Sequence, residues 1–555
     1  MFVRTKTTPN SPRKSVQIVE SYKLGNKIKQ RIVRHVGIAI DEQEEKKLKE
    51  LAEFMIAKME TKEEPLIFSP EELARIRVES KKIKEDERKY LVDMKELIEK
   101  KRVVNGIHDV YGKLYDEMGY DKLLKNPARQ KAASELIKNI VLARVADPKS
   151  KRASVGMLEE EFGISLNLDS VYGAMDKLDE ETIDKMKYMT SENTKSLFKE
   201  ELEVVFFDCT TLYFETFEED ELRKLGYSKD MKFNQPQIML SMLVTKQGMP
   251  IDYAVHEGNT YEGHTLISEL DRLRDKHKIG RVVIVADSAM LNSKNIAELE
   301  NRKIEYIVGA KIKNFNKEIT EKILTRNDYK KLNSKIEVKE IEITENQRLI
   351  ISYKEERARK DKHDRKKAID KLIKRIKKNK DIKGLISNYG YKKYIKVSQK
   401  ANVELDEERL KKESQWDGLH GIVTNAKLQE EEIINQYNNL WQIEDAFRVT
   451  KHDLRVRPVF HWKPRRIKAH VAICYMAYSM VKHLGYRIKL MAKESMSPRE
   501  VRYTLMRAQT SIVVDKKTDI HYAIPSNLKP EGVKIYKTMG LKYDKTPYIL
   551  KEGSA

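Results

Sequence analysis

Five runs of apolar residues in the central part of the chain are separated by turn signals, and they predict the strands of one sheet. The runs are residues 204–208, 237–244, 250–257, 282–287 and 303–308. Continuous apolar runs of this length are typical of buried strands. The first and fourth runs end in Asp208 and Asp287, so we expect these aspartates at adjacent strand ends. Taken singly, a strand-end aspartate is equally typical of a turn or a helix cap.

A helical pattern from Tyr437 to Arg457 places three polar residues at equal spacing. At ~100° per residue, seven positions make almost two turns, so Tyr437, Glu444 and Lys451 are expected on one face of a single helix. The neighbours of Glu444 include apolar side chains, and a carboxylate lodged among them requires a cation such as a metal ion. For one glutamate alone, a solvated surface helix is the more common interpretation.

The combination of two strand-end acids and one helix acid indicates a particular chemistry. Asp208, Asp287 and Glu444 form the kind of carboxylate set that holds paired Mg²⁺ ions for phosphoryl transfer.

At this point the sequence resembles a known family. The three acids resemble the catalytic triad of DDE transposases on a ribonuclease-H-like fold. The frame Tyr437-x6-Glu444-x6-Lys451 is similar to the Tyr-x2-Arg-x3-Glu-x6-Lys signature of the insertion-sequence-four superfamily, with Leu440 where that family has arginine. Further segments resemble a long-chain branch of the superfamily: Glu257 to Leu266, Asp417-Gly418 before residues 419–424, and Arg457 to Trp462.

The resemblance implies an α/β fold with a ribonuclease-H-like mixed-sheet catalytic core, a mainly β insertion between the second and third acids, and a helical N-terminal region. It implies two Mg²⁺ ions, with Mn²⁺ able to substitute, on Asp208, Asp287 and Glu444. It also implies that Tyr437 and Lys451 hold a DNA phosphate beside the reactive end.

Four further residues are candidate DNA contacts. Arg448, one turn after Glu444, is a candidate replacement for the missing family arginine. Trp441 is a candidate for stacking on an unpaired base, although core packing is the more common role of such a tryptophan. Arg455 and Arg457 belong to a basic cluster that follows the third acid.

Composition supports a polyanionic partner. The chain has 555 residues with 109 Lys and Arg against 87 Asp and Glu, a formal net charge of +22. Nucleic acid is the leading partner, and a Lys-rich proteome or a membrane surface would give the same balance. The longest near-continuous apolar run, residues 471–480, is too short to span a bilayer. We therefore expect a cytoplasmic protein without a membrane partner.

The chain is long enough for several domains. The expected regions are an N-terminal β-hairpin (1–40), a helical DNA-binding or dimerisation region (41–200), the catalytic core (201–310 and 418–485), a β-rich insertion with a basic helix (311–417) and a helical C-terminal tail (486–555).

Several segments outside the core are basic. The predicted hairpin turns at Gly25-Asn26. Its basic side chains could lie along a DNA backbone, or they could be solvated lysines that protect the edge of a sheet. Residues 150–178 could form a helix-turn-helix, with Lys149, Lys151 and Arg152 at its start. In the helix predicted from residue 355 to residue 380, we expect one basic set to face DNA or solvent: Lys366, Lys367, Lys371, Lys374 and Arg375.

The sequence thus predicts an insertion-sequence transposase that binds terminal inverted repeats and catalyses metal-dependent strand cleavage and strand transfer. Its partners would be double-stranded DNA, as element ends and target, and a second copy of the chain in a homodimer or higher synaptic complex. The alternatives are a DNA-binding protein derived from a transposase that no longer cuts, and a structure-directed nuclease of the same fold.

Overall fold

The computed structural model describes residues 1–7, 13–24, 27–60, 94–126, 128–198, 204–227, 234–261, 265–267, 269–270, 283–288, 293–378, 394–397 and 403–550. The chain divides into two compact units. The first contains residues 1–114, 156–165 and 487–555, and the second contains residues 115–155 and 166–486.

The strands of the described chain are β1 (Phe2–Thr7), β2 (Lys14–Leu24), β3 (Lys27–Ala39), β4 (Leu97–Val104), β5 (Val204–Tyr213), β6 (Gln237–Thr245), β7 (Pro250–Glu257), β8 (Val283–Ala286), β9 (Glu305–Ala310), β10 (Lys330–Lys331), β11 (Ile336–Thr344), β12 (Gln347–Lys354), β13 (Ile395–Val397), β14 (Val403–Leu405), β15 (Leu419–Thr424), β16 (Gln509–Asp515), β17 (His521–Pro525) and β18 (Tyr548–Ile549).

The α-helices of the described chain are α1 (Glu42–Glu60), α2 (Lys113–Glu117), α3 (Lys131–Ala146), α4 (Lys151–Phe162), α5 (Leu168–Met175), α6 (Glu180–Leu197), α7 (Ser293–Asn301), α8 (Lys317–Leu324), α9 (Glu355–Lys378), α10 (Glu407–Ser414), α11 (Glu430–Asn438), α12 (Trp441–Arg448), α13 (Pro464–Ala492), α14 (Pro498–Leu505) and α15 (Pro530–Thr538).

The second unit is built on a mixed sheet. In the described chain this sheet has nine strands in the order β10-β11-β12-β15-β9-β8-β5-β6-β7. The strands β5, β6 and β7 form an antiparallel meander, and β8 and β9 continue the sheet in parallel from β5. This arrangement of three antiparallel and two parallel strands confirms the predicted α/β fold with a ribonuclease-H-like core.

The core strands are buried because helices cover the sheet. All nine residues of β6 are buried, as expected of a strand covered on both faces. From α13, Tyr475 packs on Tyr253 with ring centroids 4.5 Å apart, and the hydroxyl of Tyr478 donates a 2.8 Å hydrogen bond to the carbonyl of Gly248. Gly248 has φ +72 in the turn between β6 and β7, a conformation that favours glycine. The predicted antiparallel pair and its turn are therefore confirmed.

The segment between the second and third acids extends the core sheet. Strand β15 pairs with β9 on one side and with β12 on the other, and β12 pairs with β11. The predicted strands and the helix that begins at residue 355 are present. Because β12 hydrogen-bonds directly to a core strand, the β-rich segment is an extension of the catalytic sheet.

The first unit contains a three-stranded sheet, β1-β2-β3, and a four-stranded sheet, β18-β17-β16-β4, within its described residues. The predicted antiparallel pairing of β2 and β3 is present, and the expected turn at Gly25-Asn26 lies outside the described residues. The capping box at Ser497 has both hydrogen bonds.

Two predictions for this part of the chain need correction. Residues 41–200 include strand β4 among the helices, and the tail from residue 486, predicted to be helical, contains β16 and β17. Strand β16 pairs with both β4 and β17, so its strand conformation is stabilised by a partner about 400 residues earlier in the chain.

None of the helices in the described ranges combines the length and apolarity that a bilayer crossing requires.

Candidate active site

A cavity of about 330 Å³ in the second unit is lined by acidic, basic and aromatic side chains from four parts of the chain. Its polar lining includes Asp287, Lys354, Arg357, His420, Tyr437 and Glu444. Two of the three predicted acids therefore meet in one cavity, although they are far apart in the sequence.

The remaining predicted acid, Asp208, lies on β5, which is the neighbour of β8 in the sheet. Asp287 directly follows β8. Strands β5 and β8 are parallel, and Phe206 pairs with Val285. Asp208 follows Phe206 by two positions on β5, and Asp287 follows Val285 by two positions, just after β8 ends. Oδ1 of Asp208 accepts a 2.7 Å hydrogen bond from the amide of Cys209, and Oδ1 of Asp287 accepts a 2.6 Å bond from the amide of Ser288. Asp287 directly follows β8, as predicted. Asp208 lies in the middle of β5, which continues to Tyr213, so the prediction that this aspartate ends its strand is wrong.

Glu444 does not lie on one continuous helix with Tyr437 and Lys451. Tyr437 is in α11, Glu444 is in α12, and Lys451 is in a π-helical turn, Val449–Asp453. Tight backbone bonds, such as that from the amide of Leu440 to the carbonyl of Tyr437, interrupt the helix between α11 and α12. The single-helix prediction is wrong, yet Tyr437 and Glu444 line the same cavity.

Glu444 is exposed on α12, and the apolar residues that flank it in sequence face the other way. Ile443 and Ala446 are fully buried, and α12 packs against β5 and β6 through this face. The prediction that apolar side chains surround the carboxylate is therefore wrong for Ile443 and Ala446, whereas Trp441 lines the cavity together with Glu444. The adjacent Asp445 accepts from Lys482 at 3.4 Å and from Arg448 at 2.6 Å, which makes it a structural ion-pair partner. Of these neighbouring acids, Glu444 is the one that lines the cavity.

Tyr437 is held tightly between the sheet and His420. A Cβ atom built on Gly309 of β9 would lie 2.4 Å from the Tyr437 hydroxyl, so only glycine permits this approach. The rings of Tyr437 and His420 are 5.0 Å apart. Burial, reinforced by the negative charge of Asp287, raises the pKa of Tyr437 to about 12. Tyr437 is therefore a neutral phenol at the edge of the acidic cluster.

Sequence reasoning missed two cations in the cavity, Lys354 and Arg357. Lys354 ends β12 and Arg357 lies in the first turn of α9. Burial and these two positive charges lower the pKa of His420 to about 4. The sequence gives no signal that these two residues belong to the cavity, because many helices begin with a similar set of charged residues. Their role becomes apparent only from their position beside residues 417–420 in the fold.

Helix α9 is fixed to the loop before β15. Arg365 makes a two-point ion pair with Asp417, and Asp361 accepts a 3.0 Å hydrogen bond from the amide of Gly418. Gly418 has φ +80, which explains the glycine in the predicted Asp-Gly motif. These bonds position the start of the basic helix at the acidic cavity.

The other predicted DNA contacts lie at different distances from the cavity. Trp441 lines it and is 52% exposed, so the alternative of core packing is excluded. Arg448 forms ion pairs with Asp445 and Asp453 instead of lining the cavity. Arg455 is exposed, and the guanidinium of Arg457 lies 5.2 Å from the Tyr213 ring centroid. On α9, four of the basic residues predicted to face DNA or solvent are exposed, Lys366, Lys367, Lys371 and Lys374, and the side chain of Arg375 lies outside the described residues.

The described residues contain no group of three acidic, histidine or cysteine side chains already arranged to hold a metal ion. The donor chemistry nevertheless fits a hard divalent cation, because carboxylate oxygens are the ligands such ions prefer. The cavity wall supplies Asp287 and Glu444, and the adjacent strand supplies Asp208.

Two models of known protein families match this chain. Residues 199–480 match the model of the family described as the transposase DDE domain, which covers half of the chain. The chain is a DDE transposase. Residues 2–65 of the transposase match a second model, the IS1634 family transposase N-terminal domain. The enzyme is therefore an insertion-sequence transposase, and DDE transposases depend on divalent metal ions.

Solved structures with detectable similarity to the transposase have low overall agreement. A cryo-EM structure of the piggyBac transposase synaptic complex with hairpin DNA is 9% identical, with a TM-score of 0.36 over 72% of this chain and 76% of that chain. A Mos1 transposase paired-end complex with the left transposon end is 16% identical, with a TM-score of 0.15 over 31% of this chain and 57% of that chain. No match to a curated protein was found.

Proposed function

We propose that Asp208, Asp287 and Glu444 are the catalytic acids of this transposase. The observation that carries the proposal is that Asp287 and Glu444 line one cavity, while Asp208 lies on β5, the parallel strand next to the one that Asp287 follows. The neighbouring acid Asp445, by contrast, forms ion pairs with Lys482 and Arg448.

These three carboxylates would hold two Mg²⁺ ions, with Mn²⁺ able to substitute. When bound, the ions would supply Lewis-acid activation of the attacking oxygen and stabilisation of the leaving oxygen in an in-line displacement. Binding requires side-chain adjustment, because no three ligands are preassembled in the described residues.

The surrounding residues would position DNA. Lys354 and Arg357 line the same cavity as Asp287 and Glu444 and would contact the scissile phosphate, with Arg357 able to bind it in a two-point manner. Tyr437, with its pKa raised to about 12, would donate a hydrogen bond to a phosphate oxygen. We propose that Arg357, instead of Arg448, supplies the charge that the insertion-sequence-four signature places at Leu440.

The finer assignment to the insertion-sequence-four superfamily rests on the frame Tyr437-x6-Glu444-x6-Lys451, in which Lys451 would make a phosphate contact. Trp441, exposed at the cavity, would stack on an unpaired base. Arg455 and Arg457 would contact the DNA backbone. The enzyme would bind the terminal inverted repeats of its element in the cytoplasm, cleave a strand with water, and join the resulting 3′-hydroxyl to target DNA. Two ends must be cut, so at least a homodimer is required.

The test uses labelled element ends, a target plasmid and Mg²⁺. Asp208→Asn, Asp287→Asn and Glu444→Gln should each abolish cleavage and joining while DNA binding is retained. The matched control, Asp445→Asn, changes the neighbouring acid and should retain cleavage when the enzyme is folded. Cleavage near the wild-type rate by any of the three variants would remove that residue from the site. Cut but unjoined products from the wild type would indicate a nuclease.

A further inference from the structure

A second cavity, of about 530 Å³, lies in the same unit and is lined by cationic side chains. The charged lining consists of Arg144, Lys149, Lys151, Arg152 and Arg455, and no aspartate or glutamate contributes to it. Lys149 is paired with Asp147 at 2.9 Å. The other four cations therefore determine the charge of the cavity.

Two of these cations are buried. Lys151 is 3% exposed and Arg144 is 4% exposed. Buried charges are normally paired, because an uncompensated charge in the protein interior is strongly unfavourable. Within the part of the chain that the structure describes, neither Lys151 nor Arg144 forms a salt bridge with a carboxylate.

Neutral acceptors hold both buried cations in place. Nε2 of His470 donates to the carbonyl of Val456 at 2.9 Å, so Nδ1 of the neutral ring accepts from Lys151 at 3.2 Å. Arg144 donates to the carbonyl of Arg455 at 3.3 Å. Arg455 has φ +43, an unfavourable conformation for a residue with a side chain, and its exposed side chain lies at the cavity rim. Both acceptors are uncharged, so these hydrogen bonds do not compensate the positive charge of Lys151 and Arg144.

The pKa values of the two histidines that line the cavity, His461 and His470, are lowered in part by the same positive charges. Burial and the charges of Lys151, Arg466 and Arg144 lower the pKa of His461 to about 4. Burial and the same positive neighbours hold the pKa of His470 well below its usual value. Both rings are therefore neutral at physiological pH, and no carboxylate of the cavity lining offsets the charge of Lys151 and Arg144.

We propose that this cavity binds a phosphate group. A phosphate offers several anionic oxygens, which suits charge-assisted bonds from Arg144, Lys151 and the rim arginines Arg152 and Arg455. Ser150 and the first residues of α4, Lys151 to Ala153, also line the cavity, and the N-terminus of a helix favours an anion. The hydroxyl of Ser150 already accepts a 3.2 Å hydrogen bond from the amide of Ala153. The phosphate would be either a DNA phosphodiester or free inorganic phosphate. The DNA source rests on the proposed function and is favoured because the wall segment from Arg455 to His461 follows directly on the candidate catalytic helices.

The first experiment titrates inorganic phosphate into the full-length wild type, without divalent metal, by calorimetry against chloride at matched ionic strength. Phosphate should bind more tightly than chloride. Lys151→Met should weaken phosphate binding by about 10- to 100-fold. Lys317→Met, which removes the same charge from a side chain that is 92% exposed, should bind phosphate like the wild type.

The proposal is overturned if phosphate binds no better than chloride, or if Lys151→Met keeps the wild-type affinity. Should Lys151→Met fail to fold, Arg152→Gln provides the same test, because Arg152 is exposed. Arg152→Gln should weaken phosphate binding about 10-fold, and an unchanged affinity in that variant would also overturn the proposal.

A second experiment distinguishes the two sources of phosphate. If a DNA phosphodiester occupies the cavity, inorganic phosphate should compete with an element-end duplex more strongly than chloride does, and Lys151→Met should remove that difference. If the occupant is free phosphate, it should bind without this extra competition. Glu444→Gln should keep phosphate binding in either case, so failure of the catalytic proposal is measured separately.

Discussion

Replacing Lys151 by methionine should stabilise the unliganded transposase. Lys151 is 3% exposed, its hydrogen-bond partner is a neutral histidine, and burial followed by the charge of Arg144 lowers its pKa from 10.5 to about 7. A methionine of similar length fills the same space without a charge. Replacement of buried charges by apolar side chains of similar volume is frequently stabilising.

The size of the effect depends on pH. The lowered pKa, at about 1.36 kcal/mol per pH unit, corresponds to an upper limit of about 5 kcal/mol of destabilisation below pH 7. Between pH 7 and pH 10.5 the unfolded chain binds more protons at Lys151 than the folded chain, so the destabilisation decreases as pH rises, to about 1 kcal/mol at pH 9.5. Loss of the donor to His470 costs about 1–3 kcal/mol at every pH. The net gain should therefore be about 2–3 kcal/mol at pH 7 and close to zero at pH 9.5.

Differential scanning calorimetry at several pH values, in buffers free of phosphate, measures this directly. At pH 7 the unfolding transition that contains residue 151 should rise by roughly 4 °C or more in Lys151→Met, and the difference should disappear by pH 9.5. Added phosphate should stabilise the wild type and not the variant. A variant less stable than the wild type at pH 7, or a difference independent of pH, would refute the reasoning.

Three further predictions concern the acidic cavity. Asp445→Asn removes the carboxylate partner of Lys482, whose side chain is 15% exposed, so the unfolding free energy in urea should fall by about 1–3 kcal/mol; unchanged stability would contradict this role. Gly309→Ala should displace Tyr437 and lower cleavage, and Tyr437→Phe should relieve part of the clash, so a double-mutant cycle on cleavage rates should show coupling of about 1 kcal/mol, whereas additive losses would argue against the contact. Arg357→Ala should reduce the slope of log DNA affinity against log salt by about one, whereas Arg359→Ala, on the same helix but outside the cavity lining, should not; equal slopes would exclude Arg357 as a phosphate contact.

Local patterns predicted the core strands well because burial on both faces of a sheet leaves a continuous apolar run. The pattern predicted β8 with Asp287 directly after it, but it ended β5 at Asp208, five residues before the strand ends at Tyr213. The break after Asn438 was missed because the seven-residue spacing assumes uniform helix geometry. Short-range backbone hydrogen bonds between α11 and α12, and a π-helical turn after α12, change the directions in which Glu444 and Lys451 point relative to Tyr437.

Long-range contacts explain the remaining differences. Lys354 and Arg357 belong to the cavity only because β12 pairs with β15, which begins about 60 residues later. Lys151 has the sequence signature of a DNA-facing surface lysine, yet α4 turns it inward against His470 of α13. Charge is visible in a sequence, whereas the burial of that charge depends on partners that are distant along the chain.

The position of β15 has a consequence for shortened copies of the protein. Residues 419–424 are synthesised late, yet they form the bridge between β9 and β12. A polypeptide that ends before residue 419 would leave two open strand edges, one on the parallel part of the sheet and one on the β11-β12 hairpin. Unpaired edges of this kind promote association with other chains. Internally truncated copies of the element should therefore yield insoluble polypeptides that cannot act as DNA-binding competitors of the intact enzyme.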